Sequence, residues 1–345
     1  MLKLATFNIR YGYPQNPAAG QAFEGERPWY ARREGLADQV IWEEPDIIGF
    51  QEVLNNQLED LGALLAPQYK HVGVGRDNGK TAGEAVPLFW RTDRLKLLDY
   101  EYFWLSETPG VPGSVSWDAG QTRMVTLAHF SFLLSDEDFY VANTHYDDRG
   151  IEARAKSSAL ILSKLAPLTS SGKLVIVMGD LNSPAEEEGY RVLTGRRYVG
   201  AEPAANAEAQ TPISISAHTA REGPTTFLDS RHALTRRPSL LNGGKKQGAE
   251  ITQAEAYGEK HTYTGFSMRE RPTLIDYILL ADNAAVQAGG GDGQLQGGQG
   301  KGNANANANV NAGWEVAKYG VLPNHFGDGV WVSDHRMVVV TLRQA

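Results

Sequence analysis

Hydrophobic and polar residues alternate along several stretches of the chain, which is the pattern of half-buried β-strands. In LKLATFN (2–8), Leu2 and Leu4 fall on one face while Ala5 and Phe7 fall on the other, so a strand is expected to end near Asn8. Short apolar runs bounded by polar or turn residues predict the other strands. These lie near 47–53, 69–75, 85–91, 95–104, 123–134, 139–146, 173–182, 273–281, 314–322 and 336–343.

Apolar residues recur at helical spacing in three segments between these strands. They are 29–44, with Trp29, Leu36, Val40 and Ile41, then 54–66, and then 150–168. Strands and helices alternate only in part. The runs 123–134 and 139–146 are typical of an antiparallel hairpin with SDED at its turn. This mixture favours two sheets with helices outside them over a purely parallel, doubly wound sheet.

Two segments have compositions that do not suit a packed core. Residues 201–262 are polar and weakly periodic, and residues 283–313 contain GGGDGQLQGGQGKGNANANANVNAG. A Gly/Asn/Ala-rich segment buries too little apolar surface to order itself, so 283–313 is interpreted as a disordered insertion, with a domain linker as the alternative. The strands after it are too short to form a separate domain. We therefore expect one domain over 1–345 with two insertions.

The composition limits the classes of function. The 345 residues are 41% hydrophobic and 21% charged, as in ordinary soluble domains, and the formal net charge is −8. An acidic chain disfavours stable binding of duplex nucleic acid, because that binding depends on neutralising phosphates. The chain has no cysteine, which excludes disulfides, thiolate metal sites and thiol nucleophiles. No membrane span or signal peptide is recognised, so a cytoplasmic location is the default expectation.

Polar residues that can carry chemistry occur where strands end. Each has a structural interpretation as well: Asn8 as a turn residue, Glu52 as a helix cap, and Asp180 with Asn182 as a strand end before a helix that Asn182 or Ser183 caps. Their shared position favours a common site, because open α/β sheets bind ligands at strand ends. The set consists of Asn8, Glu52, His145, Asp147, Asp148, Asp180, Asn182, Asp276, Asp334 and His335.

The chemistry of this set points to a metal-assisted reaction. Asp180 and Asn182 are two residues apart, so they are expected to face one spot. Asp276 lies within the apolar run TLIDYILL and needs a partner, for which His335 is the candidate. Oxygen ligands without cysteine suit a hard cation, Mg²⁺ or Mn²⁺. Histidines add groups that transfer protons or bind phosphate.

Six motifs in order resemble the endonuclease/exonuclease/phosphatase superfamily, whose members include nucleases, sphingomyelinases and inositol polyphosphate phosphatases. The likeness is closest to its hydrolase-like branch of unassigned substrate. It implies an α/β four-layer sandwich of two packed mixed β-sheets flanked by helices. It also implies metal-dependent cleavage of a phosphoester by in-line attack of water. The motifs are TFNIRYG, GFQEV, NTHYDDRG, GDLN, IDYILL and SDH, and they run from Asn8 to His335.

The resemblance also implies a role for each matching residue. Glu52 would bind the metal beside Asn8, and Asp334 would complete the metal site. Asp180 would activate the water, and Asn182 would bind the developing charge.

Two histidines would flank the phosphate in this scheme. His335 would contact the phosphate while Asp276 holds it. His145 would do so from the other side, oriented by Glu84.

One position departs from the family pattern, because Asp148 stands where many relatives in this branch have histidine. It would either support a second metal or face solvent.

The expected substrate is a phosphoester in a small molecule, a lipid headgroup or a nucleic acid, and the expected state is a monomer. The main alternative function is a nuclease acting on RNA or DNA. A non-catalytic scaffold is the third.

Overall fold

The computed structural model describes most of the chain, with gaps. The described residues are 1–12, 24–135, 137–195, 226–234, 237–238, 251–252, 256–267, 272–282 and 313–344. The helices are α1 (Trp29–Glu43), α2 (Asn55–Leu64), α3 (Ile151–Thr169) and α4 (Glu188–Thr194). The first strands are β1 (Leu2–Asn8), β2 (Ile47–Gln51), β3 (Tyr69–Val72), β4 (Leu88–Arg91), β5 (Leu95–Trp104), β6 (Met124–Phe132), β7 (Asp138–His145) and β8 (Leu174–Asp180). They are followed by β9 (Thr226–Asp229), β10 (Arg237–Pro238), β11 (Ile251–Thr252), β12 (Tyr257–Gly258), β13 (Asp276–Asp282), β14 (Trp314–Val321) and β15 (Val338–Gln344).

The strands form two large mixed sheets. The seven-stranded sheet has the order β12-β14-β15-β1-β2-β4-β3, and the six-stranded sheet has the order β5-β6-β7-β8-β13-β9. Strand β1 pairs in parallel with β2 and antiparallel with β15. Strand β8 pairs in parallel with β7 and antiparallel with β13. The two sheets are therefore built alike around their central strands.

Three apolar clusters fill the spaces between the layers. Between the sheets, Leu4 and Ile47 of the seven-stranded sheet share a cluster with Val141 and Ile176 of the six-stranded sheet. A second cluster packs α1 and α2 on the seven-stranded sheet, and a third packs α3 and α4 on the six-stranded sheet. This order of layers, helices, sheet, sheet and helices, confirms the expected α/β sandwich. Within the described residues, no helix is long and apolar enough to cross a membrane.

The helices differ from the sequence prediction in two places. Ile41 was placed on the packed face of α1, but its side chain is exposed. The helix after GDLN begins at Glu188 and its N-cap residue is Glu187, so neither Asn182 nor Ser183 is its N-cap residue. Nevertheless, the Ser183 hydroxyl accepts a hydrogen bond from the Tyr190 amide in the first turn of that helix.

The polar segment 201–262 contributes to the core, contrary to its composition. Strand β9 pairs with β13 at the edge of the six-stranded sheet. Phe227 and Asp229 on this strand are buried. Four residues with one buried aromatic are too short a signal to stand out in a polar sequence. The predicted insertion at 283–313 lies outside the described residues apart from Gly313.

Candidate active site

The polar strand ends meet at one edge of the sandwich, where a cavity of about 510 Å³ opens between the two sheets. The carboxyl ends of β1, β2, β7 and β8 point to this edge. Strand β13 runs antiparallel to β8, so its first residue, Asp276, lies opposite Asp180, the last residue of β8. The cavity is lined by residues of both sheets and their loops, among them Arg10, Glu52, Glu84, Arg123, His145, Asp148, Asp180, Asn182, Tyr263, Asp334 and His335.

Asn8 connects two carboxylates on one side of the cavity. Its amide nitrogen donates to Glu52 Oε1 and to Asp180 Oδ2, both at 3.0 Å. Its amide oxygen accepts from the Arg10 backbone N–H at 3.0 Å, which is the local turn bond expected of an asparagine. Both ends of the amide are thus occupied. In this arrangement Asn8 positions the carboxylates, and its role as a metal ligand stays a prediction.

Glu52 follows β2 in a left-handed conformation, with φ of 61°, that turns its side chain into the cavity. Glu52 Oε2 accepts from the Tyr11 backbone N–H at 3.2 Å and lies 3.8 Å from Arg10 Nη1. It does not cap α2, whose N-cap residue is Leu54. The site interpretation of Glu52 is therefore favoured over the capping one.

Asp180 lies between two imidazoles. Its Oδ2 is 3.5 Å from His145 Nε2 and 3.6 Å from His335 Nε2. Its Oδ1 accepts from the Asn182 backbone N–H at 2.8 Å. Asn182 adopts a positive φ of 43°, which returns its side chain to the cavity. Asp180 and Asn182 thus share the site as expected, but through a tight turn after β8 rather than through strand alternation.

The predicted pair of Asp276 and His335 is present in the structure. His335 Nδ1 lies 2.8 Å from Asp276 Oδ2, and both side chains are buried. The backbone supports the contact from both sides. Ser333 Oγ accepts from the His335 amide, and Thr262 Oγ1 accepts from the Asp276 amide, each at 3.1 Å.

Burial and neighbouring charges shift the pKa values of His335 and Asp180. Burial alone would lower the pKa of His335, but the carboxylates of Asp276 and Asp180 raise it to about 10. Burial and the charge of Asp276 raise the pKa of Asp180 to about 7, against the effect of His335. His335 is therefore a cation at neutral pH, beside a carboxylate that can exchange a proton there.

The two carboxylates on the Arg10 side, Glu52 and Asp334, have pKa values shifted in opposite directions. Burial acts to raise the pKa of Glu52, yet Arg10 and the hydrogen bond from Asn8 hold it below its ordinary value. Burial raises the pKa of Asp334, His335 opposes this, and the charge of Glu52 raises it further. The charges of Glu52 and Asp334 therefore repel each other. A cation placed between them would relieve that repulsion.

Glu84 does not orient His145, contrary to the prediction. Its carboxylate is held by Arg76, with Nη1 to Oε2 at 2.8 Å and Nη2 to Oε1 at 3.1 Å. His145 Nδ1 instead lies 3.0 Å from Arg123 Nη1. Burial and the charge of Glu52 raise the pKa of Glu84 to about 7, although Arg76 opposes this. Glu84 lines the cavity, but Arg123 holds the imidazole.

Asp148 is paired with a cation. Its Oδ1 accepts from Arg123 Nη2 at 3.0 Å, while its side chain remains 41% exposed. The neighbouring Asp147 is buried and accepts backbone N–H bonds from Gly120, Gln121, Arg149 and Gly150. Asp147 is therefore a loop-forming residue, and Asp148 connects the cavity rim to Arg123.

Sequence reasoning missed several residues of the cavity, among them Arg10, Arg123 and Tyr263. Arg10 lies two residues after Asn8, in the motif NIR. Arg123 lies just before β6, and the antiparallel pairing of β6 with β7 brings it to His145. Tyr263 packs against His335 with ring centroids 5.1 Å apart. Of these, only Arg123 could have been found from the predicted hairpin, by extending its register to the ends of both strands.

Two groups of residues are candidates to hold a divalent cation, and the chemistry of only one of them fits. Asp180, Asp276 and His335 have ligand atoms within 4.8 Å of one another. However, an imidazolium hydrogen-bonded to Asp276 has no lone pair to offer a metal. Glu52 and Asp334 supply carboxylate oxygens, the ligands that Mg²⁺ prefers, and their mutual repulsion marks a place for positive charge. The donor chemistry therefore fits a hard cation at Glu52 and Asp334.

Solved structures with the same fold cover nearly the whole chain. An endonuclease/exonuclease/phosphatase from Bacteroides vulgatus is 27% identical, with a TM-score of 0.70 over 100% of this chain and 99% of that one. A mannosyl-6-phosphatase from Bacteroides thetaiotaomicron is 24% identical, with a TM-score of 0.69 over 99% and 100%. The human Nocturnin catalytic domain is 16% identical, with a TM-score of 0.60 over 100% and 94%.

These likenesses agree with the observed architecture. No match was found among the curated proteins. The model of the Endonuclease/Exonuclease/phosphatase family matches residues 5–335, which include every strand end of the cavity. The chain therefore belongs to the Endonuclease/Exonuclease/phosphatase family, whose members act on phosphoesters.

Proposed function

We propose that this protein is a divalent-metal-dependent phosphoester hydrolase that cleaves a P–O bond by in-line attack of water. The observation that carries the proposal is the position of Asp180. Its carboxylate, with a pKa of about 7, lies between the Nε2 atoms of His145 and His335 in an open cavity. A base poised near neutral pH between two groups that can bind phosphate oxygens is the arrangement that water attack on a phosphoester requires.

Asp180, His335 and Asn182 each have a different role in this reaction. Asp180 accepts the proton of the attacking water. His335, held as a cation by Asp276, donates through Nε2 to a phosphate oxygen. Asn182 donates its amide N–H to the charge that develops on phosphorus-bound oxygen. Each group is fixed by a hydrogen bond before substrate arrives, so little reorganisation is needed during the reaction.

Glu52 and Asp334 are the residues that would hold Mg²⁺ or Mn²⁺. The cation would add positive charge to the phosphate oxygens and so stabilise the transition state. Arg10 lies against Glu52, with its Nη1 3.8 Å from the carboxylate, and the two side chains are 12% and 13% exposed. Arg10 therefore limits the net negative charge on this side of the cavity when substrate enters.

A small phosphoester is the substrate class that the molecule supports best. The net charge of −8 opposes binding of a long polyanion. The structural similarity to a mannosyl-6-phosphatase is consistent with a small, monophosphorylated substrate. One observation favours the alternative of a nuclease: the cavity lining combines the guanidinium of Arg149 with the ring of Tyr263, groups that can contact a nucleotide. The scaffold alternative is disfavoured, because Asp180 and His335 are both present and in contact.

The test is metal dependence across a panel of phosphoesters. The panel contains p-nitrophenyl phosphate, bis-p-nitrophenyl phosphate, hexose 6-phosphates, inositol phosphates, phospholipids and RNA and DNA oligonucleotides. We expect EDTA to abolish hydrolysis, and Mg²⁺ or Mn²⁺ to restore it. Full activity in excess chelator would rule out the metal role.

A matched pair of variants separates the metal site from general loss of charge. Glu52→Gln should lose the rise in melting temperature that Mg²⁺ gives the wild type. Glu101→Gln, at an exposed position of β5, should keep this rise in melting temperature. Equal responses of the two variants to Mg²⁺ would show that Glu52 is not a ligand.

A further inference from the structure

His145 faces hydrogen-bond donors at both ring nitrogens. Arg123 Nη1 lies 3.0 Å from Nδ1, and Asn182 Nδ2 lies 3.0 Å from Nε2. A neutral imidazole has one N–H and one lone pair, so it can accept only one of these two bonds. An imidazolium can accept neither. The two donors, Arg123 and Asn182, therefore compete for a single lone pair. The nitrogen whose lone pair accepts a hydrogen bond is unprotonated, and the other nitrogen carries the proton.

We propose that Arg123 wins this competition and is a positioning residue that holds His145 as the neutral tautomer protonated on Nε2. The catalytic consequence rests on the proposed function, whereas the tautomer itself does not. In this state Nδ1 accepts from Arg123 at the back of the ring. Nε2–H faces the cavity, where Asp180 Oδ2 lies 3.5 Å away.

Arg123 is the stronger and the better anchored of the two donors. A guanidinium is always protonated, so its hydrogen bond to Nδ1 is charge-assisted. Its Nη2 donates to Asp148 Oδ1 at 3.0 Å, and its Nε lies 3.7 Å from Asp147 Oδ2. Its side chain is only 5% exposed. Two carboxylates and the surrounding protein thus keep the guanidinium in place.

Asn182 has another acceptor and loses little. The same Nδ2 that faces His145 also donates to the Tyr146 carbonyl oxygen at 3.0 Å. Its second hydrogen is not accepted by His145 in this tautomer, so it is available to a phosphate oxygen in the cavity. Burial and the charges of Arg123 and Arg76 lower the pKa of His145 well below its ordinary value, which agrees with a neutral ring.

The two histidines of the site therefore work in different charge states. His335 has a carboxylate at its Nδ1, whereas His145 has a guanidinium there. Both present an N–H to the phosphate through Nε2, but only His335 brings a positive charge. This also gives Asp148 a role. It holds Arg123 in place from the rim of the cavity, and so it positions His145 indirectly, through Arg123.

The test is the tautomer of His145, read from long-range ¹H–¹⁵N correlation spectra of the full chain at pH 7. The signals of His145 are assigned by their loss in His145→Gln. We expect the wild type to carry its proton on Nε2, and Asn182→Ala to leave this unchanged. Arg123→Met, which keeps the volume but removes the donor, should shift the proton to Nδ1.

Kinetics with bis-p-nitrophenyl phosphate provide the second readout. Arg123→Met should lower kcat by about 10- to 100-fold, with the Mg²⁺ concentration dependence unchanged, as expected when a supporting residue is lost. Arg94→Met, a salt-bridged arginine away from the cavity, is the control and should behave as the wild type.

A wild-type His145 protonated on Nδ1 or on both nitrogens would overturn the proposal. So would a folded Arg123→Met protein with an unchanged tautomer. If that variant does not fold, the wild type and Asn182→Ala still decide. Because the spectra need no substrate, failure of the tautomer and failure of the hydrolase function are separate results.

Discussion

At the scale of single residues, the carboxylates of the cavity are divided by their surroundings into different chemical roles. Glu52 has its pKa held low by Arg10 and Asn8 against the effect of burial, so it is an anion ready to bind a cation. Asp180 has its pKa raised to about 7 by burial and by Asp276, so it can take up and release a proton near neutral pH. Carboxylates whose pKa values are pushed apart in this way are typical of active sites.

The role of Asp180 leads to the first residue-scale prediction. Asp180→Asn keeps the shape and can still accept the hydrogen bond from the Asn182 backbone N–H through its one oxygen, but it loses the bond from Asn8 and cannot act as a base. We expect the variant to fold and to lose about 10²–10⁴-fold in kcat. Initial rates and a thermal melt measure both properties. Asp93→Asn, at an exposed turn, is the control, and a near-wild-type rate in Asp180→Asn would assign Asp180 to the fold alone.

The contact between Asp276 and His335 gives a prediction of pH dependence. The pKa of His335 is raised from 6.5 in the unfolded chain to about 10 in the fold. Its protonation therefore stabilises the fold fully below about pH 6.5, and this contribution is lost as the pH rises through about 10. Asp276→Asn removes the charge that raises the pKa, so this alkaline loss of stability should shrink.

Two measurements check this pairing. Urea unfolding between pH 6 and 10.5 follows the stability, and NMR follows the titration of His335, which should move to lower pH in Asp276→Asn. The variant should also have a lower kcat. The same titration in both proteins would contradict the contact at 2.8 Å.

At the scale of elements, the site depends on how closely β7 and β8 approach each other at their ends. Thr144 pairs with Gly179, and His145 pairs with Asp180 one step further. Gly179 has a φ of +138°, and a Cβ atom there would lie 1.9 Å from the Thr144 carbonyl oxygen. Only glycine fits this position, so the residue before Asp180 fixes where the Asp180 carboxylate lies.

Gly179→Ala should therefore destabilise the protein far more than an ordinary glycine substitution. We expect a loss of about 3 kcal/mol or more in the free energy of unfolding, because a backbone clash adds to the strain of a positive φ. Gly172→Ala is the matched control, since Gly172 has a φ of +77° and no atom within 4 Å of its Cβ position. Equal losses in urea unfolding would show that β7 and β8 can move apart there.

The sequence predicted long elements better than short ones, and side chains on strand ends better than side chains on loops. Asp276 was recognised as a site residue because a carboxylate inside an apolar strand needs a partner. Strand β9 was missed because its few apolar residues lie in a polar segment. Glu84 was given a partner that Arg76 occupies instead, since the pairing depends on how the loop between β3 and β4 folds. Such contacts have no local pattern in the sequence.

At the scale of the whole molecule, charge separates the two substrate classes that the cavity can serve. The chain carries 33 Lys and Arg against 41 Asp and Glu, which gives the net charge of −8. Among the described residues, the three arginines that line the cavity are already paired with carboxylates: Arg10 with Glu52, and Arg123 and Arg149 with Asp148. A single phosphate group can be bound by the site itself, whereas a long polyanion must also pass an acidic surface. The repulsion grows with the number of phosphates that lie near the protein.

The salt dependence of hydrolysis should therefore identify the substrate class. A nuclease that neutralises 6–10 phosphates loses about 10³–10⁵ in affinity when salt rises from 50 to 200 mM. For a small phosphoester that presents one phosphate, we expect kcat/KM to change by about tenfold at most over the same range. Oligonucleotides should be poor substrates at both salt concentrations. Measurements at constant free Mg²⁺, with KCl as the added salt, keep metal binding out of the comparison. Efficient cleavage of an oligonucleotide with a steep decrease in salt would favour the nuclease, and would mean that a local cationic surface overrides the net charge.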